Sequence, residues 1–144
     1  MLHKLINPAS IAIIGASEDT TKPGGKLLQN MIIGEYDGRI YPVNPKYNVI
    51  QDIPAYASIP DIPETPDLAL IVIPAKYVRP ALAELAEIGV QVVVILSAGF
   101  GEVSPAGKLE EQQLARIADE HNMLLLGPNC SGILTYAHAS KFTG

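Results

Sequence analysis

Cysteine is almost missing from this sequence. A single one, Cys130, stands among 144 residues, so neither an intramolecular disulfide framework nor a multi-cysteine zinc site can be built. Basic residues are also in short supply. Ten Lys and Arg face fifteen Asp and Glu, for a net charge of −5. A binder of nucleic acid or of an anionic membrane needs a basic surface, so both are excluded as expected partners. Long apolar runs are absent as well. The longest, Leu68 to Ala75 and Val92 to Leu96, fall far short of the ~20 residues of a membrane-spanning helix. Lys4 ahead of Ile11 to Ala16 loosely imitates a secretion signal, but Asn7-Pro8 interrupts it and the apolar stretch is too short. With no export signal and a lone thiol, the expected compartment is the cytoplasm. Low-complexity tracts, charge blocks and solenoid repeats are lacking too.

What is present fits one globular domain. Hydrophobic residues make up 48 % of the chain, and a domain of this length buries roughly 70 % of its unfolded surface. Glycine and proline, twelve of each, punctuate an alternation of strands and helices. Ile11 to Ile14 is a β-branched run ending at Gly15. Lys26 to Ile33 puts Leu27, Leu28, Met31 and Ile32 on one helical face, stopped by Gly34. Arg39 to Val43 reads as a second strand ending at Asn44-Pro45. Residues 44 to 66 carry Pro45, Pro54, Pro60, Pro63 and Pro66, which forbid a long helix. Loops are expected there, with one short edge strand around Ala55 to Ser58.

Leu68 to Ile73 is continuously apolar, as a strand covered on both faces requires. A helix follows, with Leu82, Leu85 and Ala86 inward and Gly89 as its stop. Val90 to Leu96 is the next strand. Ser104-Pro105 reads as N-cap and first helical residue, with Glu110 and Glu111 favouring the helix start. Leu114, Ile117, Ala118 and His121 then share a face. Met123 to Leu126 closes the series. The expected fold is therefore α/β: a Rossmann-like open parallel sheet of about five main strands, with helices on both faces.

Ligands of such sheets lie beyond the carboxyl ends of the strands. Those ends are Gly15-Ala16-Ser17, Val43-Asn44-Pro45-Lys46, Ile73-Pro74-Ala75, Ser97-Ala98-Gly99-Phe100-Gly101 and Gly127-Pro128-Asn129. The first loop departs from the G-x-G-x-x-G dinucleotide fingerprint: its glycines, Gly15 and Gly24-Gly25, stand too far apart. The following helix can still turn its first amides toward an anion, and Ser17, Thr20 and Lys22 add side-chain donors. The loop suits phosphate without the usual tight pyrophosphate turn. An NAD binder places Asp or Glu at the end of the second strand. Asn44 and Lys46 stand there instead, and a lysine attracts a phosphorylated ribose. The ligand class is narrowed to coenzyme A, with its 3′-phosphate, or NADP, with its 2′-phosphate.

Four segments in series, Ile6 to Ser17, Tyr41 to Tyr47, Leu96 to Glu102 and Leu126 to Gly132, resemble the N-terminal CoA-binding domain of NDP-forming acyl-CoA synthetases. ADP-forming acetyl-CoA synthetases are the best-known members, and the alpha subunit of succinyl-CoA synthetase is a more distant relative. The resemblance implies that Gly15, Ala16 and Ser17 contact CoA and that Lys46, beside Val43 and Asn44, approaches its nucleotide end. It also implies that Leu96, Ser97, Ala98 and Gly99 form a further contact loop, and that Pro128 and Asn129 lie near the pantetheine path. With Lys22 and Pro74 from the strand-end reading, these make up the candidate site. The family's enzyme interconverts acyl-CoA, ADP or GDP and phosphate with free acid, ATP or GTP and CoA. It works through an acyl phosphate and a phosphohistidine carried by a later domain. No catalytic residue and no metal ligand is therefore assigned in this chain, which is expected to bind CoA without catalysis.

His3 at the terminus and His121 at a helix end fit surface or dipole roles. His138 falls outside every matched motif. Cys130 has no His–Asp arrangement to activate it. The expected organisation is a CoA-binding domain over 1–134, then 135–144 as the start of a linker to downstream domains of the same enzyme. Competing readings are an NADP(H)- or NAD(H)-binding redox or sensor module, a stand-alone CoA-binding regulator, and the front half of a protein acetyltransferase on the same scaffold.

Overall fold

The structure, a computed structural model, describes residues 1–130. Its centre is a parallel sheet of five strands: β1 (Ser10–Ile14), β2 (Arg39–Val43), β5 (Leu68–Ile71), β6 (Val92–Ile95) and β7 (Leu124–Leu126). A hairpin, β3 (Val49–Ile50) with β4 (Ile53–Pro54), stands apart from that sheet. The order across the main sheet is β2-β1-β5-β6-β7. The chain thus steps from β1 outward to β2, then returns past β1 to β5 and continues the other way. That reversal opens a crevice beyond the ends of β1 and β5.

The apolar runs form parallel strands because both faces are covered. Every residue of β1, β5 and β6 is buried. Ile11, Ile13, Leu68, Leu70, Val92 and Val94 pack on one side with Leu27, Leu28 and Met31 of α2 (Pro23–Ile33). Their neighbours Ala12, Ile14, Ala69, Ile71, Val93 and Ile95 pack on the other. There they meet Val78, Leu82 and Leu85 of α3 (Ala75–Glu87) and Leu114 and Ala118 of α4 (Pro105–Glu120). The two-residue strand period thus divides one sheet between two cores, and helices on both faces complete the expected fold.

Local chemistry sets the helix ends. Ser104 caps α4 by accepting from Gly107 N at 3.0 Å, with Pro105 in the first position, where its missing N–H is harmless. Pro23 opens α2 in the same way, three residues before the apolar periodicity begins. Arg79 pairs with Glu110 at 2.7 Å and ties α3 to α4.

Several local expectations change. Glu110 and Glu111 fall beyond the first turn of α4, which holds no acidic residue, and Ile32 is exposed rather than on the buried face of α2 with Leu27, Leu28 and Met31. The edge strand expected around Ala55 to Ser58 is reduced to one parallel bridge between Val43 and Tyr56. Pairing occurs upstream instead, in β3 and β4, because Gln51 and Asp52 both adopt positive φ (49° and 65°) and close a two-residue hairpin. His121 does not join the buried face of α4. The helix ends at Glu120, and His121 is exposed with Nδ1 2.9 Å from Ile117 O. β5 stops at Ile71 and β6 begins at Val92, so both are shorter than their apolar runs. A five-residue helix, α1 (Leu2–Ile6), precedes β1 and buries no residue fully. The boundary expected at 134, the tail 135–144 and His138 lie outside the described residues.

Candidate ligand-binding site

A cleft of about 680 Å³ opens at the switch point. Its floor is the end of β1, where Gly15 has φ +98° and a Cβ would lie 2.5 Å from Val72 O, so only glycine fits. Val43, Asn44 and Lys46 line it from β2, and Pro74 from the start of α3. Five candidate residues, Gly15, Val43, Asn44, Lys46 and Pro74, therefore share this cleft. Lys46 is exposed on this rim, just after the strand end at which an NAD binder carries a carboxylate.

Asn44 is half-buried and braces the site. Its Nδ2 donates to Ala16 O at 2.8 Å, and its Oδ1 accepts from Lys46 N at 2.9 Å. One side chain thus couples the turn after β1 to the turn after β2. Ala16 is fully buried, so its backbone rather than its side chain faces this junction.

The loop from Ser17 to Lys22 is tightly folded. Ser17 Oγ accepts from Asp19 N at 3.1 Å, and Asp19 Oδ1 accepts from Thr21 N and Thr21 Oγ1 at 2.9 and 2.6 Å. The Thr21 hydroxyl holds the Asp19 carboxyl below its ordinary range. Gly24 lets α2 abut the end of β1: a Cβ there would lie 1.9 Å from Gly15 O. Lys22 is exposed at the N-cap position of α2. The first turn of α2 thus begins beside the cleft floor.

The remaining candidates are dispersed. Ser97 is buried and is not a free donor. Its hydroxyl donates to Ile73 O at 2.5 Å and accepts from Ile73 N at 3.1 Å, stitching the end of β6 to that of β5. Ala98 and Gly99 are exposed on the next turn. Gly99 N and Phe100 N both donate to the Glu102 carboxylate, and Gly101 N donates to Glu111 Oε1 at 2.9 Å. The Gly99 amide holds the Glu102 carboxyl below its ordinary range. Leu96 lines a separate depression of about 290 Å³ with Pro23, Lys26 and Cys130. Pro128 lines a groove beside α4, and Asn129 is exposed, its N–H donating to Ser97 O at 2.8 Å.

Tyr77 and Glu84 on α3, and Ser58 after β4, also line the cleft. Sequence reasoning passed over them. Tyr77 stands one helical turn beyond Pro74 and is 52 % exposed despite its size, and its place after a strand end was the available signal.

The family comparison decides what kind of domain this is. A family model described as a CoA binding domain matches residues 9–136. The chain belongs to the CoA-binding domain family. Two curated relatives illustrate the likeness. One is the alpha subunit of ADP-forming acetate–CoA ligase II of Pyrococcus furiosus, 45 % identical over 141 residues, covering 97 % of this chain and 30 % of the relative. The other is the ADP-forming 4-hydroxybutyrate–CoA ligase of Nitrosopumilus maritimus, 38 % identical over 130 residues, covering 90 % of this chain and 18 % of the relative. Among solved structures, the dinucleotide-forming acetyl-coenzyme A synthetase 1 of Ca. Korarchaeum cryptofilum, in complex with phosphate and ADP, superposes with a TM-score of 0.92. It is 32 % identical, with 99 % of this chain and 30 % of that chain covered. The chain therefore spans about a third, or less, of the length of these relatives.

Two further properties of this CoA-binding domain follow from its described residues. No group of three or more His, Cys, Asp or Glu is placed to hold a metal ion. No helix is long and apolar enough to cross a membrane.

Proposed function

We propose that this chain is the CoA-binding part of an NDP-forming acid–CoA ligase, which interconverts acyl-CoA, ADP and phosphate with acid, ATP and CoA. CoA is its substrate, held by this domain while the chemistry proceeds on other domains or subunits of the same cytoplasmic enzyme. The single observation that carries the reading is Lys46 on the switch-point cleft, in a chain that matches the CoA binding domain over most of its length. The names of the similar ligases support the same activity.

In the proposed arrangement the nucleotide end of CoA lies over Gly15 to Ser17, with Lys22 beside the diphosphate and Lys46 beside the ribose 3′-phosphate. Its pantetheine arm runs past Pro74, along Leu96 to Gly99, and toward Pro128 and Asn129. Small side chains at these turns suit a thin, uncharged arm.

Calorimetry with CoA, dephospho-CoA, NADH and NADPH tests the reading. CoA is expected to bind more tightly than dephospho-CoA, and Lys46→Ala to remove most of that difference. Tight NADPH binding without CoA binding would assign the phosphorylated ribose to NADP instead and overturn the proposal.

A further inference from the structure

The polar groups of the loop after β1 are sorted by direction. The carbonyls of Ala16 and Ser17 face β2 and the hairpin. Ala16 O accepts from Asn44, while the side chain of half-buried Gln51 donates from Nε2 to Ser17 O at 3.0 Å and to Gly25 O at 2.9 Å. One amide group thus joins the start of the loop to the first turn of α2, using both of its N–H donors. The backbone N–H of Gln51 also donates to Glu18 Oε2 at 2.6 Å, which ties that carboxylate to the hairpin. The hairpin is itself firmly placed, with Ile50 fully buried among the α2-side core residues.

In a trans peptide unit the carbonyl and the following N–H point in opposite directions. The cis bond found among the described residues is Gly127–Pro128, so the peptides after Ala16 and Ser17 are trans. Holding Ala16 O and Ser17 O therefore turns the N–H groups of Ser17 and Glu18 away from Asn44 and Gln51. Among the described residues no acceptor takes either N–H. Two adjacent free amides beside a helix start are the donor set a phosphate group takes.

We infer that Gln51 is a positioning residue for phosphate binding: it fixes the loop so that the amides of Ser17 and Glu18 form a donor pair for a diphosphate. The identity of the ligand as CoA rests on the reading above, and the donor pair does not. Gln51 acts on the diphosphate, and Lys46 on the ribose phosphate.

The test uses Gln51→Met, which keeps length without donors, and Gln51→Glu, which presents a carboxylate to the two carbonyls. Affinities for CoA and dephospho-CoA are measured beside the melting temperature, and the amide shifts of Ser17 and Glu18 are followed on adding CoA or inorganic pyrophosphate. Both variants are expected to weaken CoA and dephospho-CoA equally, by roughly tenfold, with the melting temperature near wild type. The ligand-induced shifts of Ser17 and Glu18 should be lost with them. Unchanged affinity in Gln51→Met, or a wild-type protein whose Ser17 and Glu18 amides ignore both ligands, overturns the inference. A wild type that shifts these amides with pyrophosphate but binds no CoA supports the donor pair and sinks the CoA reading.

Discussion

The loops after β1 and after β6 start alike and finish differently. Each leaves a fully buried apolar strand and enters a turn containing a glycine with φ +98°, Gly15 in one and Gly99 in the other. After β6, three successive amides, Gly99, Phe100 and Gly101, are taken by the chain's own carboxylates, Glu102 and Glu111. After β1 the carbonyls are taken, by Asn44 and Gln51, and the amides of Ser17 and Glu18 are left. The same turn chemistry thus gives one loop that satisfies itself and one that is open to an anion. In a chain of net charge −5, the proposed site for a polyanionic ligand rests on this local arrangement of amides and a few lysines rather than on overall charge.

Five substitutions bear on this contrast. The largest effect is expected from Ile50→Ala. Emptying a fully buried site costs about 2–5 kcal/mol, and the hairpin that carries Gln51 loosens with it, so denaturant unfolding and CoA affinity should both suffer. Gly24→Ala comes next. Its Cβ would meet Gly15 O at 1.9 Å, and overpacking against backbone costs about 1–3 kcal/mol, with CoA binding lost as α2 is pushed from β1. Its counterpart at the other loop is Gly107→Ala, where a Cβ would meet Phe100 O, also at 1.9 Å. A similar stability loss is expected there, with CoA affinity retained far better. Equal loss of binding from both would erase the distinction between the loops.

Lys46→Ala is expected to be milder. The lysine is exposed, and one charge-assisted contact at such a site contributes about 1 kcal/mol, read as loss of the preference for CoA over dephospho-CoA. The smallest effect belongs to Glu102→Gln, which should quicken hydrogen exchange at Gly99 and Phe100 and leave CoA affinity unchanged. Its pH counterpart has a definite sign. The folded Glu102 carboxyl titrates below its unfolded value of about 4.3. Its hold on the loop is therefore complete above that value and is lost as pH falls through the depressed one. Exchange at Gly99 that slows on acidification beyond its intrinsic pH dependence contradicts this.

Much of the frame was legible because it rests on patterns that burial enforces. The apolar runs around Ile11, Leu68 and Val92 had to be strands of a two-sided sheet, and the alternation with helices fixed where strands end. Gly15, Val43, Asn44, Lys46 and Pro74 could thus be assigned to one rim from their positions alone. The hairpin was not legible, because its turn uses Gln51 and Asp52 where Asn-Gly or Asp-Gly is the recognisable signal. The satisfied state of Ser97 and Gly101 depends on partners outside their own turn, Ile73 and Glu111. A small residue at a strand end looks the same in sequence whether its polar groups are free or taken.

The most direct measurement is the amide spectrum of the protein titrated with CoA. Held phosphate should displace the Ser17 and Glu18 resonances strongly, while Phe100 and Gly101 keep the shifts set by the Glu102 and Glu111 carboxylates. The reverse pattern, with Phe100 and Gly101 moving and Ser17 and Glu18 still, would contradict the assignment of the anion site to the loop after β1.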